Sequence, residues 1–284
     1  MLTVLDSINL STEYLKNKGI DSPRINAELL LAHILKCKRL QLYLSYDRPL
    51  KEDEIILYRE LLKRRCKFEP LQYITGSTEF YGLEFKVTPA VLIPRPETEL
   101  LVETIVSNYR EKEIIKILDI GTGSGNISIT LAKLLPEASI VAIDISEEAL
   151  TIARENANHN FAADRIQFLC HDILSDALIK DNDFDIIVSN PPYVTLKDFQ
   201  RLDNELKDHE PTIALTDQSD GLSFYRAITS KAGFYLKNAG EVYFEIGHCH
   251  SQQVKELLVS NNFGNIHIIK DFQNIDRVII GEKL

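Results

Sequence analysis

The 284-residue sequence predicts an α/β protein in two parts. Residues 1–74 form a small helical bundle, and residues 94–284 form a seven-stranded sheet with helices on both faces. Residues 75–93 make a β-hairpin connector. Three observations carry this prediction. From Ile114 onward, apolar runs of strand length alternate with helical patterns, as in βαβ units and a mostly parallel sheet. Before residue 75 no strand-like alternation breaks the helical periodicity. Four strand ends in the second part carry polar residues of marked type, and open parallel sheets bind ligands at those ends.

In the first part, "SPRINAELLLAHILK" puts Ile25, Leu29, Ile34 and Leu35 near one face. Ser22 is the expected N-cap and Pro23 sits in the first turn. "KEDEIILYRELLKRR" repeats the pattern with Ile55, Leu61 and Leu62. In "STEFYGLEFKVTPAVLI", aromatic and β-branched residues flank Gly82, as in a hairpin. "PRPETELLVETIVSNY" begins a helix, with Pro96 near its first turn and acids early. The strands that follow are "IIKILDIGTGSG", "SIVAIDIS", "RIQFLCHD", "FDIIVSNPPY", "GEVYFEIG", "NIHIIKD" and "DRVIIGEKL". The last two have no helix between them, so the final strand is expected to run antiparallel.

Apolar content of 44% and charged content of 26% suit a globular chain able to bury a core without staples. Cys37, Cys66, Cys170 and Cys249 are scattered and form no C-x-x-C pair, which points to reduced packing residues and a cytoplasmic location. The N-terminus has no basic, apolar leader pattern, and no run approaches the roughly 20 apolar residues of a membrane helix. Net charge is −10, which argues against stable nucleic-acid binding. The charge is uneven: residues 1–74 hold 13 Lys and Arg against 10 Asp and Glu, and the remainder 19 against 32. "KRRCK" at 63–67 reads first as a solvated helix face and second as a docking surface for an acidic partner.

The chemistry is expected where the strand ends converge: Asp119 with the loop Gly121, Thr122, Gly123, Ser124 and Gly125; then Asp144, Asp172 and Asn190. Glycines let the backbone approach a ligand, and the next helix offers its N-terminus. A dinucleotide fingerprint needs a third glycine at position 126, which is Asn126. Asp144 can accept from both hydroxyls of a ribose, which suits a nicotinamide dinucleotide and S-adenosylmethionine alike. The same residue could instead cap a helix. Asp172 fits an acceptor for an adenine amino group, or again a cap.

"IIVSNPPYV" is more specific. An amide nitrogen is a poor nucleophile because its lone pair is delocalised into the carbonyl. An enzyme that methylates it must hold the NH2 by both hydrogens. Asn190 Oδ1 can accept one, and the Pro191 carbonyl the other. Pro191 and Pro192 fix two φ angles, so that carbonyl is aimed. The Tyr193 ring can lie against a planar amide. "GHCHS" at 247–251 lacks a further ligand set at zinc spacing, so no metal is expected.

"PLQYITGSTEF", "VLIPRPETE", "DIGTGSGNISITLA" and "IIVSNPPYV" together resemble the release factor glutamine methyltransferases, the PrmC/HemK family. "NAELLLAHIL" and "DRVIIGEKL" extend the likeness to nearly the whole chain. The resemblance implies a class I methyltransferase, Rossmann-like sheet and S-adenosyl-L-methionine as donor. It implies N5-methylation of the glutamine in the Gly-Gly-Gln loop of peptide chain release factors, and so a role in translation termination. Carried over by position, Gly121–Gly125 would line the methionine part of the donor, and Asp144 would bind ribose. Asp172 and Ile173 would border adenine, while Asn190, Pro191, Pro192 and Tyr193 would hold the substrate glutamine. Phe80 resembles an aromatic position near the donor. Ile173 stands where some relatives have Trp, and His209 where many have Phe or Tyr. "NPPY" alone is shared with adenine N6-methyltransferases of DNA, so an adenine N6-methyltransferase acting on DNA or RNA is an alternative. A non-catalytic translation-factor binding module and a dehydrogenase are the further alternatives.

Overall fold

The computed structural model describes residues 2–111 and 114–284. Its chain divides into two units. The first comprises residues 1–77 together with 203–209, and the second residues 78–202 and 210–284.

The first unit is helical, with its long helices at Val4–Asn17, Pro23–Leu35 and Glu52–Arg65. Val4, Ile8, Leu15, Leu30, Leu31, Leu42, Tyr58 and Leu62 form its core. Two expectations need correction. Ser22 does not cap the second helix: its φ is 47° and its side chain makes no capping bond. Asn26 reaches back instead and donates to the Asp21 and Ser22 carbonyls, which shapes that turn from inside the helix. The buried face is Asn26, Ala27, Leu30 and Leu31, while Ile25 is exposed. The helix is rotated because its polar core residue has a partner: Arg65 Nε donates to Asn26 Oδ1 at 2.7 Å. Within "KRRCK", Lys63 and Arg64 are solvated but Arg65 is buried. Its remaining donors go to the Glu69 carbonyl and to Glu205 Oε2 at 2.7 Å. Glu205 belongs to the short helix Asn204–His209, which joins this unit from a distant part of the chain.

The second unit begins with the hairpin Ser77–Phe80 (β1) and Leu83–Lys86 (β2). Its sheet contains Ile115–Ile120 (β3), Ala138–Asp144 (β4), Ile166–Cys170 (β5), Phe184–Ser189 (β6), Leu236–Glu245 (β7), Phe263–Lys270 (β8) and Asp276–Lys283 (β9). The order across the sheet is β5-β4-β3-β6-β7-β9-β8. Strands β5 to β7 pair in parallel, and β9 is antiparallel to both its neighbours, as the missing final crossover implies.

Both faces of the inner strands are apolar, because helices cover both. Ile117, Ile140, Ala142, Ile186 and Val188 join one core with Leu101, Ile105, Ile129 and Leu131. The alternate residues Leu118, Val141, Ile143 and Ile187 join the other, with Tyr225, Ile228, Val254 and Leu258. Phe80 and Phe85 from the hairpin pack edge to face in the first of these cores. The chain turns one way from β3 to β4 and β5, and the other way from β6 to β7. The crevice between β3 and β6 is therefore a topological switch point.

Gly125 closes the turn into the helix Asn126–Leu134 with φ 81°. A Cβ there would lie 2.9 Å from Ile129 Cδ1 and 3.3 Å from Ala153 Cβ. Gly125→Ala adds left-handed strain to that clash. It should lower unfolding free energy by about 1–3 kcal/mol, read as an earlier urea midpoint at unchanged slope.

Candidate active site

A cavity of about 420 Å³ opens at the carboxyl ends of β3, β4 and β6 and beside the loop that follows β5. That volume is in the range of ordinary ligand pockets. Gly121 and Gly123 form part of its wall, with Asp144, Asp172, Ile173, Asn190, Pro191 and Pro192. Eight residues named from sequence thus meet in one space, drawn from four segments of the chain.

The glycine loop is built from backbone bonds. Gly121 and Thr122 both donate N–H to the Ile143 carbonyl, at 2.9 and 3.0 Å, which ties the loop to β4. Gly121 has φ 75° and open space where a Cβ would project, so the backbone itself is the wall. Asp144, at the end of β4, accepts from Gly123 N at 2.8 Å through Oδ2 and from Ser146 N at 2.9 Å through Oδ1. A carboxylate has about four acceptor positions, and the Ile145 N–H also bears on this one, so acceptor capacity is left toward the cavity. Burial raises the Asp144 pKa against the pull of these N–H groups. The capping alternative for Asp144 is met by its neighbour: Ser146 Oγ accepts from Ala149 N at the start of the helix Glu147–His159.

Asp172 accepts from Leu174 N at 2.8 Å through Oδ1, and Oδ2 has no partner among the described residues. Lys231, from the helix Ser223–Tyr235, donates to the Ile173 and Ser175 carbonyls and holds this loop in place. On the opposite side, Arg95 pairs with Glu210 at 2.5 Å. That pair ties the "LIPRPETE" run to the segment whose Pro211, Ile213, Ala214 and Thr216 line the cavity.

Other expected residues lie behind the wall. Asp119 is fully buried beneath the loop, where Oδ2 accepts from Thr122 Oγ1 at 2.7 Å and from Ser128 Oγ. Burial pushes its pKa up to about 6. Thr122, Ser124 and Gly125 support the loop and do not line the space. Tyr193 is likewise absent from the wall. It packs against the core that contains Leu222, Tyr225 and Phe244, and its hydroxyl points to Glu245 Oε1 at 3.4 Å. Phe80 is a core residue. His209 ends the helix Asn204–His209 in the first unit, with Nε2 3.1 Å from the Lys67 carbonyl oxygen. His248 Nδ1 faces Cys249 Sγ, and His250 is buried at the start of the helix Ser251–Ser260. Among the described residues no group of three or more His, Cys, Asp or Glu is arranged to hold a metal.

Residues 6–76 match the PrmC N-terminal domain, and residues 111–269 match a methyltransferase domain. A release factor glutamine methyltransferase of Fusobacterium nucleatum subsp. nucleatum is 44% identical over 280 residues, covering 98% of this chain and 78% of the relative. One from Koribacter versatilis is 39% identical over 282 residues, covering 99% of each. The chain belongs to the release factor glutamine methyltransferase family. The sheet has a solved counterpart in a methyltransferase from Pyrococcus furiosus, with TM-score 0.55 and 18% identity, covering 78% of this chain and 98% of that one. That likeness shows the shared fold.

Sequence reasoning missed several residues of this methyltransferase's site. Val91, Leu92, Ile145, His171, Ile213 and Phe224 line the cavity, and no local motif marks them, because they come from loops and helix starts far apart in the chain. Thr98 and Glu245 stand directly behind Asn190. Glu245 had a signal, a lone acid inside the strand-like run "EVYFEIG". Fully buried, its carboxyl is raised to about 7. A carboxyl whose folded pKa exceeds its unfolded value near 4.3 binds more protons when folded. The resulting stability is complete below that unfolded value and is lost as pH rises through about 7. Glu245→Gln should therefore lose less unfolding free energy than the wild type between pH 5 and pH 7.5, measured by urea titration at both.

Proposed function

We propose that the protein transfers the methyl group of S-adenosyl-L-methionine to the side-chain amide nitrogen of the Gly-Gly-Gln glutamine in peptide chain release factors. The observation that carries this reading is the presence of Asn190, Pro191 and Pro192 in the same cavity as Asp144, Asp172 and the glycine loop. The family of the chain supports it, and so does the fit of the residues to the donor. Asp144 keeps acceptor capacity for the ribose hydroxyls. Asp172 Oδ2 can take an adenine amino group beside Ile173. Gly121 and Gly123 offer a wall without side chains. Asp119 acts through the loop it supports.

When bound, the donor supplies a methyl group on a sulfonium, an electrophile that needs no activation by the protein. The chain supplies position. Asn190 Oδ1 accepts one N–H of the substrate amide and the Pro191 carbonyl the other, so the nitrogen cannot turn its hydrogens toward the incoming carbon. Proline rigidity keeps the ordering cost low. No strong base is required, because the alkylated nitrogen is far more acidic than the starting amide. Pre-alignment and exclusion of water make the larger contribution. Tyr193 contributes from the core, where its hydroxyl donates to Glu245.

The helical unit, residues 1–74 in this reading, docks the release factor. Its slight positive charge against the acidic remainder suits a partner engaged with the translation machinery. Residues 75–93 link it to the methyltransferase domain over residues 94–284. The overall charge of −10 does not suit stable nucleic-acid binding by the enzyme itself. Among the described residues no helix is long and apolar enough to cross a membrane. The substrate implies a cytoplasmic place of action.

Incubation with methyl-labelled S-adenosylmethionine and a release factor should label the factor on one glutamine, mapped by mass spectrometry. Undiminished label after that glutamine becomes alanine would sink the proposal. Two variants separate the roles within it. Asn190→Ala should bind the donor with unchanged affinity by calorimetry yet lose roughly 100-fold or more in turnover. Asp144→Ala should weaken donor binding roughly 10- to 100-fold, the cost of losing charged hydrogen bonds to two hydroxyls.

A further inference from the structure

Behind the cavity wall a chain of hydrogen bonds runs from β7 to Asn190. Thr98 Oγ1 donates to Glu245 Oε2 at 2.6 Å, and Asn190 Nδ2 donates to Thr98 Oγ1 at 3.1 Å. Tyr193 O–H donates to the other Glu245 oxygen, and Tyr225 O–H to the Glu245 backbone carbonyl at 2.7 Å. Thr98 and Glu245 are about 1% exposed, so water does not compete for these bonds. Asn190 is half-buried and lines the cavity, and its Oδ1 has no partner among the described residues.

The direction of this chain follows from its far end. An ionised carboxylate can only accept. The threonine hydroxyl has one proton, and Glu245 takes it. Toward Asn190 the same oxygen can then only accept, so Asn190 must turn its NH2 to Thr98. The amide is planar, with its two polar atoms on opposite sides. Holding Nδ2 toward Thr98 leaves Oδ1 on the other side.

We infer that Thr98 and Glu245 are positioning residues that set which end of the Asn190 amide faces the cavity, so that an acceptor and never a donor meets the substrate NH2. This rests on the proposed role of Asn190 in holding that NH2. Without the relay, the two orientations of the Asn190 amide approach equal energy, and one of them opposes a donor to a donor. Thr98 touches neither substrate nor donor in this scheme and acts through Asn190.

The relay is also sensitive to pH. A protonated Glu245 can donate to Thr98 and free the threonine proton for Asn190 Oδ1, which permits the reversed amide. Arg277 on β9 favours the ionised carboxylate, while burial and Glu97 oppose it, with Tyr193 and Tyr225 as the facing hydroxyls. The balance lies at about 7. Turnover at saturating donor should therefore fall as pH drops through that value.

Two measurements test the relay. The first needs no substrate: in the donor-free protein, proton exchange of the Asn190 side-chain NH2 is followed by NMR with 15N-labelled asparagine. Thr98→Val, close to isosteric, should speed that exchange roughly tenfold or more and shift the resonance. Unchanged exchange and shift would overturn the relay. The second is steady-state transfer to a release factor. Thr98→Val should lower kcat roughly 10- to 100-fold with the donor KM unchanged, and Thr98→Ser should recover most of it. Full activity in the valine variant, or a serine variant as poor as valine, refutes the inference. If Thr98→Val fails to fold, Glu245→Gln replaces it in both assays. Its amide can donate to Thr98, so kcat should fall and the loss below pH 7 should disappear. A glutamine variant with wild-type kcat overturns the relay. A wild type that labels no release factor refutes the proposed function instead, and the NMR measurement still decides the relay.

Discussion

A strand covered by helices on both faces has no place along its length for an unpaired polar side chain. That constraint organises the catalytic unit. Ile117, Leu118, Ile186, Ile187 and Val188 are committed to one core or the other. Polar chemistry is therefore pushed to the strand ends. Because β3, β4 and β6 run in parallel, those ends lie side by side. A cavity lined by Gly121, Asp144 and Asn190 is the geometric result.

The exceptions to that rule are informative. Asp119 and Glu245 are charged residues with no exposed surface, and both carry raised pKa values. Each is kept by hydroxyl partners that donate to it. Asp119 holds the hydroxyls of Thr122 and Ser128 under the glycine loop. Glu245 holds Thr98 and Tyr193 behind the "SNPPY" turn. The cavity wall carries the glycine backbone, the Asn190 amide and the carboxylates of Asp144 and Asp172, while the fully buried acids Asp119 and Glu245 sit one layer deeper. There they set hydrogen-bond direction without meeting solvent. Burying such charges works against stability, a cost that is understandable where direction is worth more than a few kcal/mol of folding energy.

The same logic appears in the helical unit on a smaller scale. Arg65 is nearly inaccessible, and its donors go to Asn26, the Glu69 carbonyl and Glu205. An apparently simple charge run, "KRRCK", therefore contains one residue with an interior role and neighbours that are solvated. The pairing also explains why the second helix turns Asn26 inward and leaves Ile25 in water.

Much of the fold is legible in local pattern. Strand and helix alternation, the antiparallel last strand, the glycine loop and the acids at strand ends follow from local pattern, because burial and backbone geometry act within a few residues. Asn190 with its two prolines was readable for the same reason: rigidity at a strand end is a local property. What local pattern could not supply is any pairing across long chain distances. Thr98 meets Glu245 across 147 positions, and Arg65 meets Glu205 across 140. Tyr193 illustrates the difference within one motif. Its neighbours Asn190, Pro191 and Pro192 line the cavity, but the residues around Tyr193 turn its ring into the core toward Glu245. Local pattern is enough to say which chemistry stands at which strand end. Which atoms face the ligand is fixed on folding, because a side chain's direction is set by partners that lie far away along the chain.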